Sequence, residues 1–181
     1  MELDLENSIA LLSHTPATLN ALLRDLPDAW TLKNEGDGTM TPCDVIGHLI
    51  FLERNSWIQR ATLILQSSEP QSFQPVNREG RADSDEDKAL PHLLDEFARL
   101  RSQNLNALRA LNLQKEDLER RAIHPNLGLV TLSQLVSTWT AHDMTHLHQI
   151  SRILAHQYRE AVGPWVKFLG VLHCDGHSEP A

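Results

Sequence analysis

Cysteine and aromatic residues are scarce in this chain. Two cysteines, one tyrosine and 5% aromatic residues are spread over 181 positions. Cys43 and Cys174 form no spacing motif, which sets aside a disulfide framework and points to reduced thiols in a cytoplasmic setting. No set of aromatics is interleaved with basic residues, so a stacking platform for nucleic acid is missing. Basic clusters are missing too. Arg120-Arg121 is the only adjacent basic pair and the net charge is -8, which argues against a nucleic-acid partner. No apolar run approaches the ~20 residues of a membrane span. The opening Met1-Glu2-Leu3-Asp4 is acidic and lacks the basic region of a signal peptide. There is no phosphate-cradling glycine loop, no nucleophilic triad, no internal repeat and no low-complexity tract.

What is present suits one domain with a sizeable core over 1–181, its tail from about 171 poorly ordered; 41% of the residues are hydrophobic. Residues 4–26 read as helical with a break. Leu5, Ile9 and Leu12 form one stretch, Thr15-Pro16 looks like a cap with proline at the first helical position, and Leu19, Leu22, Leu23 and Leu26 continue. Residues 27–40 are a loop rich in turn formers, with Trp30 and Met40 as its anchors. Thr41-Pro42-Cys43-Asp44 opens a second helix that fades near Gln66-Ser67-Ser68; Asp44 completes a capping box. The polar segment 67–84 has Phe73 as its aromatic anchor and the length of a lid or a loosely ordered loop.

Ser84-Asp85-Glu86-Asp87 starts a third helix whose stripe runs from Leu90 to Leu111, with Pro91 marking a kink or a start. His124-Pro125-Asn126-Leu127-Gly128 is a turn signal. Thr131-Leu132-Ser133-Gln134 is a capping box opening a fourth helix to about Tyr158, and Val162-Gly163-Pro164-Trp165 begins a short terminal segment. Four long helices without a convincing strand pattern predict an all-α four-helix bundle.

The fourth helix carries the chemistry. Leu132, Leu135, Trp139, His142, His146, Ile150 and Ile153 follow steps of three and four, so two histidines occupy places where leucines belong. His142 and His146 share one face at the i, i+4 spacing. On the second helix His48 falls between Val45 and Leu52 and also points inward. A buried imidazole needs partners for both nitrogens, and a shared metal ion is one economical solution. Three neutral nitrogens suit a divalent ion such as Zn²⁺ or Ni²⁺, with a position left for water or substrate. The competing reading is three satisfied core histidines, and spacing alone does not decide between them. Asp143 stands where a zinc protease has glutamate, so that class fails. Asp143 lies off the pair's face and is expected to bond a neighbouring helix or cap the pocket wall. Glu53 is a candidate base or supporting carboxylate at the pocket rim, with a solvated charge as the alternative. His148 lies off the pair's face and reads as exposed, His14, His92 and His156 have no partner pattern, His124 reads as a turn brace, and His173, Cys174 and His177 as part of a frayed tail.

The same residues carry a resemblance. Thr41-Pro42-Cys43-Asp44-Val45-Ile46-Gly47-His48-Leu49-Ile50, His124-Pro125-Asn126-Leu127-Gly128-Leu129-Val130-Thr131-Leu132, Thr138-Trp139-Thr140-Ala141-His142-Asp143-Met144-Thr145-His146 with Gln149-Ile150-Ser151-Arg152, and Val162-Gly163-Pro164-Trp165 resemble, in that order, the DinB-like (DinB/YfiT) superfamily. The resemblance implies an up-down-down-up bundle, often a homodimer. It also implies a divalent metal held by three histidines, which fall here on His48, His142 and His146. Related members include S-transferases and isomerases that use low-molecular-weight thiols, and others described as hydrolases, most without a known substrate; for this chain the expected partner is a small-molecule substrate. One departure is Met40, where the superfamily usually has tryptophan. The expectation is therefore a metal-dependent transferase or hydrolase; the alternative is a non-catalytic binding or stress-response module whose metal is structural.

Overall fold

The computed structural model describes residues 3–74 and 89–174. The expected cap at Ser84, the greater part of the polar segment 67–84, His177 and the tail from 175 lie outside the described residues. Helix α1 spans Leu5–Leu23 and is capped by Asp4, whose side chain accepts from the Asn7 N–H. The expected break at Thr15-Pro16 is corrected: the helix runs through, with Pro16 inside it. A proline there forfeits one backbone bond without ending the helix when another donor takes up the freed carbonyl. A single-turn helix α2 (Asp28–Thr31) follows.

Helix α3 (Pro42–Asn55) begins at the expected capping box, with Thr41 accepting from the Asp44 N–H and Asp44 returning a bond to the Thr41 N–H. The expected single helix to residue 66 is interrupted at Ser56, where φ is -129°, and continues as α4 (Trp57–Gln66). At the break Trp57 stacks on Trp139, ring centroids 5.6 Å apart. Helix α5 is Leu90–Ala110 with Pro91 in its first turn, so Pro91 marks a start and not a kink.

Strand is present after all. Arg121–His124 (β1) and Gly128–Thr131 (β2) form an antiparallel hairpin, and Ser72 bridges to Ile123 beside it. Neither strand buries an alternating face, β2 being exposed or half-buried throughout, so no apolar–polar alternation marks them in the sequence. The turn signal at 124–128 is its tip: Gly128 has φ 74°, a value that favours glycine, and His124 Nδ1 accepts from the Asn126 N–H at 3.3 Å. The hairpin delivers the chain to Thr131, which caps α6 (Leu132–His156) by the expected box with Gln134. Two 3₁₀ turns, Gly163–Phe168 and Gly170–Leu172, follow.

Two apolar clusters fill the bundle. The lower one gathers Ile9 and Leu12, Trp57, Ala61 and Ile64, Leu105 and Leu108, and Leu132, Leu135 and Trp139. The upper one gathers Leu19 and Leu23, Val45 to Ile50, Leu90 to Phe97, and Ile150 and Ile153. Reading residue numbers from one cluster to the other gives the directions. α1 and α6 run from lower to upper, while α3–α4 and α5 run from upper to lower. The order is up-down-down-up. The middle two helices, α3–α4 and α5, therefore run parallel. The loop 32–41 is tied down by Arg152 of α6, which grips the Glu35 carboxylate, and by Met40, which packs on the upper cluster. Trp30 packs on Tyr158, ring centroids 5.1 Å apart. No helix among the described residues is long and apolar enough to cross a membrane.

Candidate metal centre

Between the two apolar clusters lies a polar waist. Along each helix a buried polar or charged residue falls between the two clusters: Thr15 between Leu12 and Leu19, Glu53 between Trp57 and Ile50, Arg101 between Leu105 and Phe97, and Asp143 between Trp139 and Ile150. The three histidines lie at the same level on α3 and α6.

His48 Nε2 is 3.3 Å from His142 Nε2, and His146 Nε2 is 3.1 Å from the same atom. All three ligand atoms lie within 4.8 Å of one another. His146 is buried, while His48 and His142 are partly exposed, so the cluster is reachable from one side. Gln149, one turn on from His146, accepts from its Nδ1 at 2.7 Å. That bond puts the proton on Nδ1 and turns the Nε2 lone pair toward the other rings.

Protons alone do not satisfy this arrangement. His142 Nε2 faces two nitrogens at once, and a single N–H cannot point at both. Whichever tautomer it takes, its Nδ1 is buried without a protein partner. A cation fits. Tetrahedral nitrogen ligands about 2.0–2.1 Å from Zn²⁺ stand roughly 3.3 Å apart, close to the observed pair distances. Burial, helped by His146, His48 and Arg101, pushes His142 down to about 2; burial also lowers His146, against the pull of Gln149 and Asp143. Both rings are therefore neutral at pH 7 and keep the lone pairs that a metal requires. Trp57 closes one side, its ring edge-on to His142 with centroids 5.4 Å apart.

The structure brings together the three histidines singled out in the sequence and corrects the expectation about Glu53. Glu53 is not at the rim: it is 2% exposed, and its oxygens accept from Arg101, from Trp139 Nε1 at 3.0 Å and from Asn104 Nδ2 at 2.8 Å. Asp143 lies deeper than His142, at 1% exposure, where it bonds Thr15 Oγ1 at 2.6 Å and Arg101. It does bond neighbouring helices, as expected. His14, His92, His148 and His173 are exposed and stand outside the cluster.

Sequence reasoning missed Arg101, Thr15 and Gln149. A signal existed for the first two. Phe97, Arg101, Leu105 and Leu12, Thr15, Leu19 continue apolar steps of three and four through a polar residue, which marks a buried polar group and not a break in the stripe.

Comparison with known proteins agrees with this architecture. A family model described as the DinB superfamily matches residues 11–150. YfiT from Bacillus subtilis, described as "a probable metal-dependent hydrolase with an unusual four-helix bundle topology", superimposes with a TM-score of 0.71 at 23% identity, over 86% of this chain and 87% of that one. At that identity the likeness speaks for the fold. No curated protein matches the chain.

Proposed function

Because this chain belongs to the DinB superfamily, we propose that it is a metal-dependent enzyme, with His48, His142 and His146 holding a divalent ion and hydrolysis of a small-molecule substrate as its reaction class. The observation that carries the proposal is the meeting of three Nε2 atoms at 3.1 and 3.3 Å from two separate helices. The description of YfiT favours hydrolysis over the thiol-dependent transfer that other superfamily members perform.

A divalent ion bound there supplies Lewis-acid chemistry, lowering the pKa of a water or thiol that reaches it. The chain's own residues do the rest. Gln149 holds His146 in the tautomer that offers Nε2. Trp57 and Trp139 keep bulk water from the inner side of the rings. His48 and His142, being partly exposed, leave the outer side for substrate. Three nitrogen ligands leave a fourth position, as in catalytic and unlike structural zinc sites.

The test is metal analysis of purified protein, paired with a panel of esters, amides and electrophiles assayed with and without added thiol. The wild type is expected to retain close to one Zn²⁺ or Ni²⁺ per chain through dialysis, and His146→Ala to lose it. Full metal content in His146→Ala contradicts the assignment. Turnover that requires a thiol moves the reading from hydrolysis to S-transfer. Chelation separates enzyme from structural module: a catalytic site loses activity with a modest fall in Tm, a structural one unfolds. Light scattering tests the homodimer that the superfamily resemblance implies.

A further inference from the structure

Arg101 spends four of its five N–H donors between the two helices that carry the ligands. Nε and Nη2 donate to Glu53 Oε1 at 3.1 and 2.9 Å, and Nη1 and Nη2 to the two oxygens of Asp143. Glu53 follows His48 by five residues on α3, and Asp143 follows His142 directly on α6. The fifth N–H, on Nη1, goes to the Leu12 carbonyl at 2.9 Å. That carbonyl lies four residues before Pro16, which has no N–H to return to it and whose ring crowds it outward. Thr15, beside the proline, bonds Asp143 at 2.6 Å. Phe97 and Trp139 face the guanidinium, which lies 4.9 and 5.3 Å from their ring centroids.

We propose that Arg101 is a positioning residue for the metal centre: its guanidinium sets the separation of α3 and α6, and so of His48 from His142 and His146, while Pro16 supplies the carbonyl that fixes where the guanidinium sits. The inference rests on reading the triad as a metal site. A planar fork with all five N–H groups engaged holds its partners at fixed separation and angle, which a flexible point charge cannot do. Metal ligation is sensitive to such positioning, because metal–ligand distances hold within about 0.2 Å. The helical proline is also accounted for: it withdraws one rung of the α1 ladder and lends the carbonyl to a neighbouring helix.

The experiment compares wild type with R101K, P16A and, as a control, L108A, a cavity variant in the lower cluster away from the network. For each, Zn²⁺ affinity is measured by competition titration, the visible spectrum is recorded with Co²⁺, and metal-free stability is measured by denaturation. R101K is expected to bind Zn²⁺ about tenfold to a hundredfold more weakly and to alter the Co²⁺ spectrum, because lysine keeps the charge and loses the fork. P16A, with the better helix former, is expected to fold at least as stably as wild type and yet bind Zn²⁺ about tenfold more weakly. It carries the test should R101K not fold. L108A is expected to lose stability and keep wild-type affinity.

Wild-type affinity and spectrum in both R101K and P16A overturn the proposal. So does an L108A affinity that falls as far as that of R101K, since affinity would then merely follow stability. Weakened R101K with unaffected P16A retains Arg101 and removes Pro16 from it. A wild-type protein that binds neither ion defeats the metal reading instead. Imidazole ¹⁵N shifts of metal-free wild type and P16A then decide the positioning claim, with unchanged shifts overturning it.

Discussion

Two polar clusters lie side by side at the waist of this bundle, and they differ in whether donors and acceptors come out even. Around Arg101 they do: all five of its N–H groups have acceptors, and Glu53 and Asp143 each take bonds from further side chains. Around the histidines they do not: three Nε2 atoms crowd together and His142 Nδ1 has no protein partner. Both clusters interrupt an apolar core, so both carry a desolvation cost. The satisfied one returns that cost as rigidity. The unsatisfied one is poised for something that is not protein. The contrast favours the proposed roles, support for the first and metal binding for the second.

The sharpest way to break the contrast is to unbalance the satisfied cluster. Arg101→Met leaves two buried carboxylates without their cation and is expected to cost about 3–5 kcal/mol in urea denaturation of the metal-free protein. A loss below about 1 kcal/mol would mean that the network is less complete than its geometry indicates.

Acid acts on the other cluster. His142 is held near a pKa of about 2 when folded, against an unfolded value of 6.5. Below pH 6.5 the unfolded chain therefore takes up protons that the folded chain refuses, so stability falls as pH falls. From pH 7 to pH 5 the metal-free protein is expected to lose about 2 kcal/mol through this group alone. Bound metal falls over the same window, since ligation also requires the neutral ring. Denaturation at the two pH values, with and without chelator, checks both; a flat profile would remove the histidines from the core. His142→Leu gives the smallest effect and the opposite sign. It replaces a ring whose Nδ1 lacks a partner by an apolar group, and is expected to raise metal-free stability by about 1 kcal/mol while abolishing metal retention. Thermal and chemical denaturation beside metal analysis reads both halves.

The YfiT likeness and the family match place this waist in a known architecture, but the particulars of this chain account for it. Pro16 looked like a helix boundary in the sequence because proline removes a rung, and a one-dimensional pattern cannot show that the guanidinium of residue 101 takes up the carbonyl left behind. Glu53 looked like a rim charge because glutamate is almost never buried unless paired. Its partners come from α5 and α6, 48 and 86 residues away along the chain. The hairpin at 121–131 escaped notice because its strands are largely exposed and bury no alternating face.

Local physics set what was legible in the sequence. Side chains three and four apart share a helix face, and caps pair a hydroxyl with a residue three further on. The four helices, the boxes at Thr41 and Thr131, and the inward aim of His48, His142 and His146 all follow from such short-range rules. Which inward residues meet is a matter of long-range assembly. α3 and α5 run parallel, and a single guanidinium spaces α3 from α6. Periodicity states the direction in which a side chain looks, whereas only the packed bundle states what stands opposite it.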